Sequence, residues 1–188
     1  TNCVSAHILI GGNSPDPDEP EGLAVESSFS ADWLAGEDGD DLLDGGARDD
    51  QLAGQGGDDT LLDTRAMQLY GGEGDDGLTA GAGDDWLSRN SGNDTLIAGR
   101  GLDDLDAGEG DDLLIGSYEQ NVAWLHGGTG DDTLQVYACD FAEGGAGRDL
   151  FLLQEPGQTV PVVGDYNPVD DIIELRWHGT GQQMPNVT

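Results

Sequence analysis

The chain has very few basic residues: six Lys and Arg stand against 39 Asp and Glu, a formal charge of −33. A surface of that sign repels phosphate backbones, so nucleic acid is excluded as a partner. Two cysteines, Cys3 and Cys139, cannot form a disulfide framework. A bond within the chain, a head-to-tail bond between subunits and two thiols all stay open. There is no run of about 18 apolar residues, hence no membrane-spanning helix is expected. The start of the chain shows no basic region followed by an apolar run, so no Sec-type signal is expected either. His7, His126 and His178 are scattered, with no His-Glu-x-x-His and no Gly-x-Ser-x-Gly. No enzymatic activity is therefore expected. Low apolar content with high charge lies near the composition of disordered chains, so folding needs a further source of free energy.

What is abundant is repetition. A nine-residue unit, Gly-Gly-x-Gly-x-Asp-x-apolar-x, starts at Gly36, Gly45, Gly54, Gly71, Ala80, Arg89, Ala98, Ala107, Gly127 and Gly144. Its sixth place is always aspartate: Asp41, Asp50, Asp59, Asp76, Asp85, Asp94, Asp103, Asp112, Asp132 and Asp149. Its eighth is leucine until Phe151 closes the series. Glycines at the first, second and fourth places are expected to take positive φ and turn carbonyls toward one point, which a residue with a Cβ does only under strain. Aspartate adds a hard anionic oxygen. Flexible oxygen-only coordination suits Ca²⁺, whereas Mg²⁺ demands a tighter octahedron and Zn²⁺ prefers nitrogen and sulfur. The x-apolar-x that follows reads as a short strand with its central side chain inward. Each unit is then half a coil.

These residues resemble the RTX, or hemolysin-type calcium-binding, repeat of bacterial secreted proteins over roughly residues 27 to 175. The resemblance implies an all-β fold, a right-handed parallel β-roll of about seven coils, with each Ca²⁺ between the turns of units n and n+2. On that reading the carboxylate ligands are Asp41, Asp59, Asp76, Asp94, Asp112, Asp132 and Asp149 on one edge, with Asp85 and Asp103 on the other. The glycine turns that supply carbonyls contain Gly36, Gly39, Gly54, Gly57, Gly72, Gly74, Gly92, Gly108, Gly110, Gly128 and Gly130. The resemblance further implies secretion to the extracellular medium or cell surface, with type I export and folding on Ca²⁺ outside; residues 176 to 188 could carry part of such an export signal. Relatives that are proteases or lipases carry their catalytic domain ahead of the repeats, and 26 residues cannot hold one.

Unit starts are nine apart except where fillers intervene, at 63 to 70, 116 to 126 and 136 to 143, each about one half-coil long. Residues 27 to 35, with Asp32 and Leu34 in phase, read as a degenerate first unit. Counted from there, every filler falls on the same edge as that unit. The other edge keeps seven turns and about six intervening Ca²⁺ sites. The filler edge keeps one, between Asp85 and Asp103, for about seven ions in total. Three segments follow: a strand and Pro/Asp-rich linker (1 to 26), the roll (27 to 152), and a C-terminal β cap with tail (153 to 188). In the cap, Val162, Tyr166, Ile172, Ile173 and Leu175 are expected to cover the last coil. Tyr70, Tyr118, Trp124, Tyr137 and Phe141 lie in or beside the fillers, either covering the interior where glycine turns are missing or marking a recognition surface. Three functions fit: a calcium-folded structural module, a subunit that self-associates head to tail with Ala6 to Ile10 adding a strand to a neighbour, and a carrier region of a larger secreted enzyme or toxin.

Overall fold

The computed structural model describes residues 8–10, 31–46, 49–65, 67–88, 90–117, 121–154 and 160–176. Every described element is a strand. In chain order these are β1 (Ile8–Ile10), β2 (Trp33–Asp38), β3 (Leu42–Asp44), β4 (Gln51–Gly56), β5 (Thr60–Leu62), β6 (Gln68–Glu73), β7 (Gly77–Thr79), β8 (Trp86–Ser88) and β9 (Thr95–Ile97). They continue as β10 (Leu102–Glu109), β11 (Leu113–Ile115), β12 (Val122–Thr129), β13 (Thr133–Val136), β14 (Phe141–Ala146), β15 (Leu150–Leu153), β16 (Val162–Val163) and β17 (Ile172–Leu175). Even-numbered strands stack behind β1 into a nine-stranded parallel sheet, and the odd-numbered ones from β3 onward form an eight-stranded parallel sheet. The chain alternates between them, which makes the all-β parallel solenoid expected of the repeat, with coils β2–β3 through β14–β15.

The x-apolar-x strands face each other across a narrow interior because successive strand side chains point to opposite faces. Leu34, Leu52, Leu69, Leu87, Leu105, Leu125 and Ala142 line it from the first sheet. Leu43, Leu61, Leu78, Leu96, Leu114, Leu134 and Phe151 line it from the second, and all fourteen are essentially fully buried. Parallel pairing places each above its equivalent one coil away, as in Leu78↔Leu96 and Leu96↔Leu114. Leu87→Ala therefore leaves a hole that neighbouring coils cannot close without shifting register. Its expected cost is about 2–5 kcal/mol, read as a higher midpoint in a calcium titration followed by circular dichroism. Ser88→Ala, on the outer face of the same strand, is expected to leave that midpoint unchanged.

Each filler occupies one half-coil. Leu52 pairs with Leu69, Leu105 with Leu125, and Leu125 with Ala142, so steps of 17, 20 and 17 residues replace the regular 18 without breaking the sheet. The change in length is absorbed in the turns ahead of those strands. Asp32 and Leu34 are buried in phase with the repeat. At the amino end, β1 pairs in parallel with β2 of the same chain, Ile8 opposite Trp33, so residues 8–10 complete their own sheet; Ala6 and His7 lie outside the described residues. At the other end, β16 and β17 add one more strand to each sheet. Val163 packs against the core. Val162, Tyr166, Ile172, Ile173 and Leu175, expected to seal the roll, stay at least 39 % exposed; Val162, Ile172, Ile173 and Leu175 lie on strands that continue the parallel stack instead of folding over its end. No helix among the described residues is long and apolar enough to cross a membrane.

Candidate metal centre

The turns from the first sheet to the second stack in one uninterrupted file of seven, and their fourth place is glycine in each: Gly39, Gly57, Gly74, Gly92, Gly110, Gly130 and Gly147. All seven have φ between 118° and 153°. Each of the first six donates its N–H to a carbonyl of the next turn, from Gly39 to Gly56 (2.6 Å) through Gly130 to Ala146 (2.9 Å). The second place is also left-handed at Gly72, Gly108, Gly128 and Gly145, and in the first two turns at Glu37 (φ 78°) and Gln55 (φ 87°), where side chains are accommodated.

The first-place glycines act differently from the expectation. Gly36 and Gly54 show no positive φ. They are glycine because the aspartate of their own turn lies against the Cα: a Cβ on Gly54 would stand 2.0 Å from Asp59 Oδ2 and 2.7 Å from the carbonyl oxygen of Gly71. Gly36 with Asp41 and Gly54, and Gly127 with Asp132 and Gly144, repeat that arrangement. A carboxylate oxygen and the carbonyl oxygen of the following turn thus border the same point.

From Asp59 onward, each sixth-place aspartate of this file uses its other oxygen in a second ladder. Oδ1 accepts the backbone N–H of the equivalent aspartate one coil earlier: Asp41 to Asp59 (2.8 Å), Asp59 to Asp76 (2.7 Å), Asp76 to Asp94 (2.8 Å), Asp94 to Asp112 (2.7 Å), Asp112 to Asp132 (2.9 Å) and Asp132 to Asp149 (3.0 Å). All seven aspartates are buried. The Oδ2 atoms of Asp59, Asp132 and Asp149 are buried without a hydrogen-bond partner. A file of anionic oxygens fixed on one side and open on the other is what a cation would complete. Among the described residues no three His, Cys, Asp or Glu side chains gather at one point. The donors at hand for a cation are therefore carboxylates together with peptide carbonyls, an oxygen-only set that fits Ca²⁺.

Burial pushes the carboxyls of Asp59 and Asp132 from 3.8 up to about 7, against the lowering effect of the N–H groups of Asp41 and Asp112 and with help from neighbouring aspartates. Asp149 is raised for the same first reason. A pKa raised on folding means that the ion-free roll loses stability as pH climbs from about 4 to about 7 and is favoured by acid. Calcium needs the ionised form. Two opposite pH effects are expected: without calcium, acidification from pH 8 to pH 5 increases sheet content in circular dichroism, whereas the calcium midpoint rises steeply as pH falls below about 7. A midpoint independent of pH across that range would contradict the assignment of these carboxylates.

The opposite edge is built otherwise. Met67 and Ala123 hold the sixth place in two fillers. Asp85 does donate its N–H to Asp103 (3.1 Å), but the buried Ser117 hydroxyl donates to Asp103 Oδ2 (3.0 Å). Burial raises Asp85 to about 7 and Asp103 to about 6, with Ser117 opposing the shift at Asp103. Asp140 is buried and accepts the N–H groups of Ala123 (2.9 Å) and Tyr137 (2.9 Å), so it closes a turn. Cys139 beside it is half-buried with φ 78°; Cys3 and Tyr118 lie outside the described residues.

Three features escaped the sequence reading. Asp171 extends the carboxylate ladder by accepting the N–H of Asp149 (3.1 Å). Its signal is its place two residues before Ile173, which pairs with the inward Phe151, without any glycine to mark a turn. The fifth-place residues Asp40, Asp58, Asp75, Asn93, Asp111 and Asp131 form an outer ladder running the other way, each accepting the N–H of the next coil's fifth residue. Asp63, buried at the start of a filler, is raised to about 7 by burial and lies beside Asp50.

In comparison with protein families, the RTX calcium-binding nonapeptide repeat matches in four copies, at residues 28–61, 68–87, 88–117 and 124–139, together more than half of the chain. No curated protein and no solved structure matches it.

Proposed function

The chain belongs to the RTX calcium-binding nonapeptide repeat family, whose repeats bind calcium, and from that we propose that it is a non-enzymatic structural module that folds when Ca²⁺ fills its glycine edge. The observation that carries this reading is the seven-turn file of buried aspartates, in which Asp41, Asp59 and Asp132 each lie beside a carbonyl oxygen of the following turn. In this reading Asp41, Asp59, Asp76, Asp94, Asp112, Asp132 and Asp149 are the ligands, completed by carbonyls of the turns holding Gly36, Gly39, Gly54, Gly57, Gly72, Gly74, Gly92, Gly108, Gly110, Gly128 and Gly130. Seven turns leave about six intervals for ions. The Asp85–Asp103 pair is the weaker site, since Ser117 already satisfies Asp103.

Folding that waits for calcium suits export as an unfolded chain from a calcium-poor cytoplasm and folding in the extracellular medium, where such modules bind calcium at about 10⁻⁴–10⁻³ M. Secretion and an extracellular or cell-surface location belong to this proposal. So do the three segments 1 to 26, 27 to 152 and 153 to 188. A titration monitored by isothermal calorimetry tests the site assignment. Wild type is expected to take up about six to seven Ca²⁺, Asp76→Asn with Asp94→Asn to lose at least two, and Asp85→Asn no more than one. Equal losses from either edge would refute the lopsided ladder.

Head-to-tail self-association is the second reading, and the exposed Ile172, Ile173 and Leu175 on the last strand favour it. Light scattering that rises with calcium in wild type, and not in Ile172→Lys, is its expected signature.

A further inference from the structure

We propose that the outer face of the nine-stranded sheet binds a neutral, linear polysaccharide lying along the axis of the roll. Three of the chain's four tryptophans stand in one file on this face. Strand register runs Trp33, Gln51, Gln68, Trp86, Asp104, Trp124 and Phe141, each directly opposite the next on the neighbouring strand. The aromatic members are 39–53 % exposed. They do not cover the interior, because their inward neighbours Leu34, Leu87, Leu125 and Ala142 fill it. The strands of the other sheet carry one aromatic residue, Phe151, which points inward. Among the described strands, the exposed aromatics thus lie on one sheet.

Its geometry points to an extended ligand with a repeat. Trp124 and Phe141 stack, with ring centres 6.1 Å apart and planes 10° from each other. Trp86 meets Tyr70 edge to face, ring centres 6.0 Å apart. Two strand spacings separate Trp86 from Trp124, about 10 Å. In an equatorially linked glycan with a two-fold twist, every second ring presents the same face, and that repeat is one disaccharide long. Trp86 and Trp124, two strands apart, therefore meet equivalent rings, whose axial C–H groups pack against the indoles while the hydroxyls point sideways. Hydrogen-bonding groups stand among and beside the aromatics: Asp104 in the file between Trp86 and Trp124, and His126, which sits between Asp104 (3.9 Å) and Glu143 (3.4 Å). Strand-borne side chains hold such spacing more closely than loop-borne ones.

Charge selects the class of glycan. The described strands of this sheet contain no Lys or Arg, and three carboxylates, Asp104, Asp106 and Glu143, share the face with the aromatics. Uronic-acid and sulfated polymers are repelled by a chain whose formal charge is −33 before calcium binds and stays strongly negative with about seven Ca²⁺ bound. A neutral chain is not.

The test uses the calcium-loaded full chain, titrated with cellohexaose and with N-acetylchitohexaose by tryptophan fluorescence and calorimetry, with polygalacturonate and oligolysine as charged probes. Binding of at least one neutral hexasaccharide is expected, with no response to polygalacturonate. Trp86→Ala and Trp124→Ala are each expected to weaken it about tenfold, Trp124→Phe much less, and Asp104→Ala measurably, all with unchanged calcium-induced circular dichroism. If the alanine variants fold poorly, the contrast between Trp124→Phe and Asp104→Ala decides. Absence of binding to both neutral hexasaccharides overturns the proposal, as does binding indifferent to Trp86 and Trp124. It is equally overturned if these substitutions abolish only oligolysine binding or only a dimer seen by sedimentation.

Discussion

Excess EGTA at pH 8 is expected to convert the roll into an expanded chain, with the sheet signal in far-ultraviolet circular dichroism lost and regained on adding calcium. The reasoning begins with the aspartate ladder. Asp41, Asp59, Asp76, Asp94, Asp112, Asp132 and Asp149 are stacked one coil apart and all buried, so the same burial that raises Asp59 and Asp132 to about 7 becomes a penalty once pH exceeds that value. An uncompensated buried charge costs about 3–5 kcal/mol. A domain's whole stability is about 5–15 kcal/mol. A few carboxylates stripped of their ions are enough to outweigh what the narrow leucine interior supplies. Stability in a solenoid is a sum of neighbouring interfaces, and each of these interfaces contains the same pair of turns, so loss along the glycine edge spreads through every coil. Chelation at pH 5 is expected to leave more sheet than at pH 8, because protons then take the place of the ions. A roll that keeps its full sheet signal in EGTA at pH 8 would falsify calcium-driven folding outright.

Much of this was legible because the repeat carries two phases at once, an aspartate and an inward residue two places later. Those phases identify the fold, the seven-turn edge and most of the interior before any coordinates are seen. They were obscured in the fillers, where Leu69, Leu125 and Ala142 are inward but the Gly-Gly-x-Gly pattern that announces a turn is missing, Gly116 being the one glycine in the three fillers. Counting back two residues from each would have found Met67, Ala123 and Asp140 in the aspartate place, and the same count from Ile173 finds Asp171. The fifth-place ladder was hidden for another reason: in a chain with so many acids, a column of exposed aspartates looks like solvation until backbone N–H groups are seen to point at it. Ser117 could not have been found from spacing, since its hydroxyl meets Asp103 from a different half-coil. The first-place glycines, present in six of the ten units, were explained wrongly: at Gly36 and Gly54 a neighbouring carboxylate and carbonyl oxygen, and not a positive φ, leave no room for a Cβ.

That distinction makes glycine substitutions the sharpest probe of the stack. Gly92→Ala is expected to abolish calcium-induced folding of the wild-type kind, or to split it into two transitions on either side of its coil. Gly92 has φ 136°, and its added Cβ would stand 1.9 Å from the carbonyl oxygen and 2.5 Å from the carbonyl carbon of Gly74 in the preceding turn. The obstruction is backbone, so no rotamer relieves it. The coils would have to move apart, yet their spacing is set at about 4.8 Å by the sheets on both sides. Conformational strain alone at such a φ costs about 1–3 kcal/mol. Gly39→Ala isolates that part, since Gly39 has φ 118° with nothing within 4 Å of the new methyl group, and a modest rise in calcium midpoint is expected from it. Gly56→Ala isolates neither: its nearest neighbour is Asp38 Oδ1 at 3.6 Å and its φ is ordinary, so its midpoint should match wild type within about 0.5 kcal/mol. The order Gly56→Ala, Gly39→Ala, Gly92→Ala, from mild to severe, follows from contact between successive turns. If Gly92→Ala instead titrates like Gly39→Ala, the turns are not in contact along the glycine edge, and the calcium ligands assigned between them lose their geometric basis.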